Sequence, residues 1–280
     1  MIPLSAFQLA AASAAKDTMP VSEDTVVASL LPTQVSETDL CARTDSRAPR
    51  HLALVLDASP CPAPADCLTA LRETINGCCE SGVRWLSVLL PAAHNGHSAT
   101  CCEVLKTVRQ YVQSEAEALA FKGVRLAPYP CAGLNGHSNP AHWGMNVPEP
   151  ARGFYRALSS ASKLNVPVES LCVHLGLGCG GREELLEALR QLAGEAAAGR
   201  LGASEISAEL LEGQLAMPPV DLLVRTGGSQ QISDFLMWQA AYAELLFVDV
   251  PWERFRPEHL RAAFADYARR DRKFGALPTC

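Results

Sequence analysis

Six short, almost unbroken apolar runs, at 51–57, 83–90, 124–129, 170–177, 221–226 and 245–250, constrain this chain more than any other feature. A run of this length with little polar alternation suits a strand covered on both faces. Between the runs apolar residues recur at helical spacing. Leu68, Leu71, Ile75 and Cys78 form one such stripe, and Val104, Val108, Tyr111 and Val112, with Glu115 and Leu119, form a second. Leu185, Leu186, Leu189 and Leu192 make a third, and Leu260, Phe264 and Tyr267 a fourth. Strands alternating with helices imply βαβ units. The expected fold is therefore a single α/β domain over 50–280, with a roughly six-stranded, mostly parallel sheet sandwiched by helices. Residues 1–49 are rich in Ser, Thr, Ala and Asp without a sustained period, and read as a disordered leader.

Composition narrows the function. The formal net charge of -6 and the lack of a long Lys/Arg run argue against a nucleic-acid partner. No apolar stretch reaches the ~20 residues that a spanning helix needs. The mildly apolar start from Ile2 to Ala15 has no basic flank, which speaks against a signal peptide. The 11 cysteines include two vicinal sets, Cys78-Cys79 and Cys101-Cys102, and no Cys-x-x-Cys. That spacing argues against a disulfide framework or a zinc site, and for cysteines packed as small apolar groups in a reducing compartment.

Ligands of such sheets bind beyond the carboxyl ends of the strands, so the residues following each run carry the information. Asp57 ends the first run and is a carboxylate suited either to metal and phosphate work or to a turn. His94 and His97 follow the second run in a loop with no third ligand, which reads as surface. After the fourth run comes Gly176-Leu177-Gly178-Cys179-Gly180-Gly181-Arg182, where glycines before a helix could let backbone N–H groups approach a phosphate. Arg225-Thr226-Gly227-Gly228 follows the fifth run, with Ser233 opening an expected helix over 235–242. A fixed cation, a glycine pair and a hydroxyl make an oxyanion site, or else a buried arginine and a plain helix cap. Near the C-terminus Arg269, Arg270, Arg272 and Lys273 cluster after the last helical stripe, where they could simply complement its dipole.

From Val220-Asp221-Leu222-Leu223-Val224-Arg225-Thr226-Gly227-Gly228, through Ser233-Asp234-Phe235-Leu236-Met237-Trp238-Gln239 and Ala241-Tyr242-Ala243-Glu244-Leu245, to Arg270-Asp271-Arg272-Lys273-Phe274-Gly275, the chain resembles the cis-prenyltransferases. Undecaprenyl and dehydrodolichyl diphosphate synthases belong to that family. The resemblance implies elongation of an allylic diphosphate such as farnesyl diphosphate by isopentenyl diphosphate, with Mg2+. It makes Asp57 the catalytic, magnesium-binding carboxylate. Arg225 and Ser233, with Gly227 and Gly228, would hold isopentenyl diphosphate. Glu244 would bind magnesium across a dimer interface. Arg272, Lys273 and Gly275 would form an arm reaching a partner's site.

The first half departs from the pattern. Asp57 is followed by Ala58-Ser59-Pro60-Cys61-Pro62, with no Lys or Arg before Arg72. Gln231 stands where the family carries a second arginine, and Ser229 where it carries Glu. Each missing charge-assisted contact would cost about 1.5–3 kcal/mol. On that ground the chain is similar to the accessory subunits of heteromeric enzymes, of which the Nogo-B receptor is an example. The leading expectation is thus an impaired subunit paired with a catalytic cis-prenyltransferase for dolichol synthesis and protein glycosylation. It would work peripherally at the endoplasmic reticulum membrane. A self-sufficient homodimeric enzyme and a non-catalytic scaffold are the alternatives.

Overall fold

The structure is a computed structural model, and it describes residues 48–57, 63–90, 99–129, 149–166, 168, 170–177 and 180–274. All but the last two residues of the expected leader, the segments holding Pro60, His94 and His97, Cys179, and Gly275 lie outside the described residues. Within them the strands are β1 (His51–Val55), β2 (Trp85–Leu90), β3 (Val124–Pro128), β4 (Leu171–Leu177), β5 (Leu222–Arg225) and β6 (Glu244–Phe247). The helices are α1 (Pro64–Glu80), α2 (Ala99–Phe121), α3 (Glu149–Ala161), α4 (Gly181–Ala197), α5 (Ala208–Glu212) and α6 (Pro257–Tyr267). All six strands are parallel, in the order β3-β4-β2-β1-β5-β6. The expected α/β fold is the one found.

The sheet's larger core lies on the face of Leu52, Leu54, Leu86, Val88, Val173 and Leu222, against α1, α2, α3 and α6. Leu71, Ile75 and Cys78 of the first stripe are fully buried there, and Leu260 and Phe264 of the fourth nearly so. Each such leucine or isoleucine contributes about 1.5–3 kcal/mol relative to exposure. Pro64 opens α1 and Asp66 lies in its first turn, both favourable at a helix N-terminus. The opposite face carries a smaller core, in which Ala53, Val55 and Leu223 meet Tyr129, Met217, Val220, Phe235 and Leu236.

Two local expectations are corrected. The segment 235–242 is a series of turns rather than a helix, with Leu236 at φ 53°. A side chain at positive φ breaks the right-handed helix, and burial of Phe235 and Leu236 against the sheet, at 2% and 0% exposure, holds it there. The third stripe is helical but only partly inward: Leu192 is buried and Leu185 partly so, Leu186 and Leu189 are exposed, and Gly181, Glu184 and Ala188 complete the buried face. Polar ties set that rotation. Glu184 accepts hydrogen bonds from the Tyr129 hydroxyl (3.2 Å) and the Gln239 amide (2.9 Å). Helix α3 was not anticipated, although Phe154 and Leu158 are fully buried on it at helical spacing, with the small residues Ala151, Gly153, Ala157 and Ala161 beside them.

Of the cysteines, Cys67 and Cys78 are fully buried and Cys172 nearly so. Burial pushes the Cys67 thiol up to about 11 and Cys78 higher still, so both stay neutral. They are packed as small apolar groups, as expected.

Candidate active site

Neighbours in sequence diverge in the sheet at one place. From β1 the chain passes to β2 on one side, whereas β5 pairs with β1 on the other. A crevice forms outside the carboxyl ends of strands at such a switch point. Asp57 and Arg225 are the side chains placed there, since Val55 and Arg225 are register partners.

They hold each other. Arg225 donates from Nε to Asp57 Oδ2 at 2.8 Å, and its Nη2 lies 2.8 Å from the same oxygen. A third donor, Nη1, reaches the Gln231 carbonyl at 2.6 Å. The Arg225 side chain is 12% exposed and that of Asp57 33%. Both contacts fall on Oδ2, so Oδ1 accepts no hydrogen bond from a described residue.

The backbone beneath the pair is fixed. Asp57 N–H donates to the Thr226 hydroxyl (3.0 Å), which donates in turn to the Asp57 carbonyl (3.2 Å). Trp252 N–H donates to the same carbonyl at 3.0 Å. A methyl on Gly227 would lie 2.7 Å from Asp57 Cβ, and its φ of 81° favours glycine independently. Gly227 and Gly228 do not offer their N–H groups to an anion, because they donate to the carbonyls of Val250 (2.8 Å) and Val248 (3.1 Å). The expected glycine cradle is therefore a packing joint between β5 and the chain after β6. Ser233 fits the oxyanion reading better, since its buried hydroxyl has no partner among the described residues.

The glycines before α4 also have another role. Asp234 occupies that helix N-terminus: its carbonyl accepts from Gly181 N–H (2.7 Å) and its carboxylate from Arg182 N–H (3.0 Å). A carboxylate stands where a phosphate was considered.

Three expected residues lie elsewhere. Glu244 opens β6 and is register partner to Leu222, about 10 Å along the strands from the Arg225 level. It pairs with Arg270 at 3.0 Å and does not join Asp57 within the chain. Arg272 is not an outward-reaching cation: it folds back to Asp221 Oδ1 at 2.8 Å, with 13% of its side chain exposed. Its guanidinium stacks on Phe274 (4.3 Å) and Tyr267 (5.5 Å). Lys273 is exposed.

For the expected magnesium ion, this chain offers Asp57 Oδ1, open beside a pocket cation. Among the described residues no group of three His, Cys, Asp or Glu could hold a metal. Mg2+ is commonly held by one or two carboxylates plus substrate phosphates and water, so a single carboxylate would fit it if phosphates were bound beside it. Glu184 is the buried carboxylate that sequence reasoning missed. Burial raises its affinity for a proton, and its partners mark it as a strut between α4 and the segment after β5.

A guanidinium and a carboxylate facing each other at the switch point of a parallel sheet are the charged groups that a ligand of this α/β protein would meet there. The sequence model of a family described as putative undecaprenyl diphosphate synthase matches residues 146–275. An isoprenyl transferase of Brucella abortus is 31% identical over 245 residues, covering 82% of this chain and 90% of the relative. The Pseudomonas aeruginosa ditrans,polycis-undecaprenyl-diphosphate synthase, (2E,6E)-farnesyl-diphosphate specific, is 31% identical, covering 83% and 93%. The chain belongs to this cis-prenyltransferase family. Lavandulyl diphosphate synthase from Lavandula x intermedia, solved with dimethylallyl diphosphate, shares the fold at TM-score 0.70 and 21% identity, over 82% of this chain and 100% of that one.

Proposed function

We propose that this chain is itself a cis-prenyltransferase, acting as a homodimer that condenses isopentenyl diphosphate with an allylic diphosphate such as farnesyl diphosphate. The observation that carries this reading is the Asp57–Arg225 pair at the sheet's switch point. It is supported by relatives that match most of the chain and bear the names of transferases in their own right. Those names favour the self-sufficient enzyme over the accessory subunit. They carry nothing about dolichol, glycosylation or the endoplasmic reticulum. Among the described residues no helix is long and apolar enough to cross a membrane.

In this reading Arg225 and the free Ser233 hydroxyl hold the isopentenyl diphosphate, while Asp57 holds the allylic diphosphate through Mg2+. Bound Mg2+ would neutralise charge on the departing diphosphate. Charge stabilisation of that kind is the main thing a protein can supply to an ionising leaving group. A second copy suits the exposed apolar residues Leu186, Leu189, Ile232, Met237 and Tyr242, and the half-exposed edge strand β6. Glu244 and the arm of Lys273 and Gly275 would serve that assembly.

The test is elongation by the purified chain alone with labelled isopentenyl diphosphate, farnesyl diphosphate and Mg2+, with the mass in solution measured by light scattering. Polyprenyl products from a dimer are expected. The absence of Lys and Arg from 58–71 keeps the accessory reading as the alternative. Products only after addition of a catalytic cis-prenyltransferase subunit would establish it and overturn ours.

A further inference from the structure

Resting on the reading of this sheet end as the diphosphate site, we propose that the Asp57–Arg225 pair is an exchange switch. It makes anion binding at Arg225 and cation binding at Asp57 depend on each other.

The geometry gives the reason. Three donor atoms of Arg225 are already engaged, two by one oxygen of Asp57 and one by the Gln231 carbonyl. Asp57 Oδ2 holds the Nε–Nη2 edge of the guanidinium, so a diphosphate can take that two-donor edge only by displacing it, and without displacement is left the remaining N–H of Nη1 and of Nη2. The backbones cannot move apart to allow it, because Thr226, Trp252 and the close approach of Gly227 pin Asp57 against β5. The exchange therefore happens at the side chains. The carboxylate is suited to that: with Asp57 33% exposed, water already competes for it, while Arg225, at 12%, keeps its place in the wall. A diphosphate offers the same fork more charge and two oxygens in plane.

Displacement leaves the Asp57 carboxylate beside the incoming phosphates with its counter-charge removed. Two anions so placed repel unless a cation lies between them. Without a divalent cation Asp57 thus opposes diphosphate, by competing for Arg225 and by repulsion. With one, the freed carboxylate holds the cation and favours diphosphate. Asp57 changes sign, and the chemistry is safeguarded because neither ligand settles fully without the other.

The experiment is a pair of calorimetric titrations with inorganic pyrophosphate, in EDTA and in excess Mg2+, on wild type and Asp57→Asn. Asp57→Asn should bind about three- to tenfold more tightly than wild type in EDTA, and more weakly in Mg2+. The gain in EDTA should shrink in an Arg225→Lys background, since lysine cannot make the two-donor contact. A gain of the same size there would mean simple repulsion and overturn the switch. Mn2+ paramagnetic resonance without any anion gives a second readout. Arg225→Gln should bind Mn2+ more tightly than wild type, and Asp57→Asn should abolish the gain. Equal Mn2+ affinity in wild type and a folded Arg225→Gln would overturn the proposal. These titrations need no turnover. A sign change in a protein that makes no polyprenyl would count against the transferase reading alone. Elongating protein without the sign change would count against the switch alone.

Discussion

Two Asp–Arg pairs sit at opposite ends of β5 with the same 2.8 Å separation and different consequences. At the carboxyl end, Asp57 is a third exposed, and only Arg225 engages its carboxylate among the described residues. At the amino end, Asp221 is 4% exposed, and both of its oxygens are occupied. Oδ1 takes Arg272, and Oδ2 accepts the N–H groups of Arg50 (2.9 Å) and His51 (3.0 Å). Arg272 is further held by the Tyr267 hydroxyl at 2.9 Å and two aromatic faces. The pair length therefore says little about purpose. Burial and the number of other partners separate a strut that joins the C-terminal segment to the sheet from a contact that a ligand can replace.

The largest test of that contrast is Asp221→Ala. It strands a buried guanidinium and two backbone donors, so a loss of about 3–5 kcal/mol in unfolding free energy by urea titration is expected. A loss under about 1 kcal/mol would erase the distinction. Asp57→Ala should cost less stability and more turnover. It strands Arg225, which is as buried as Arg272, but no backbone donor, so a loss of about 1–3 kcal/mol is expected, while elongation falls about a hundredfold or more, the scale of losing one preorganised charge contact. Turnover near wild type would remove Asp57 from the chemistry.

A third test uses pH. His174 is half-buried in the sheet with its Nδ1 shielded from solvent, facing Ser87 as register partner, with Cys172 3.7 Å from its Nε2. His51 lies close enough to oppose a second charge, and its Nε2 takes the Ser87 hydroxyl (2.9 Å) while Nδ1–H donates to the Pro218 carbonyl (3.0 Å). Burial first, then His51, lowers the His174 value from 6.5 to about 3. The folded state therefore binds this proton less readily than the unfolded chain. The stability it contributes is complete above pH 6.5 and is lost as pH falls towards 3, at about 1.4 kcal/mol per pH unit. Denaturation at pH 7, 6 and 5 reads it, and His174→Gln should flatten the slope. An unchanged slope would place the acid sensitivity elsewhere. The smallest effect is expected from Arg272→Lys, which keeps the charge but loses the stacked plane, about 1 kcal/mol in stability. A hundredfold fall in elongation without that loss would restore Arg272 as a substrate ligand.

Much of the fold was legible in the order of the residues. Near-continuous apolar runs could satisfy both faces only in a covered parallel sheet, which placed all six strands to within three residues at each end. The same logic put Asp57 and Arg225 at one end of it. The turns after β5 were not legible, because Phe235, Leu236 and Trp238 have a helical look that burial against Ala53 and Leu223 overrides. Nor was the facing of α4, since Leu186 and Leu189 outrank Glu184 in any apolar count.

The sequence by itself determined the layers, the strand ends and the residue types that meet an anion, because periodicity and strand termini are local properties of the chain. Partnership was decided by the tertiary structure alone. Asp57, Asp221, Glu244, Arg225, Arg270 and Arg272 are interchangeable as letters, and the three ion pairs that join them span 26 to 168 positions. Which carboxylate became a dry strut and which stayed within reach of a ligand depended on how many donors the fold brought to each.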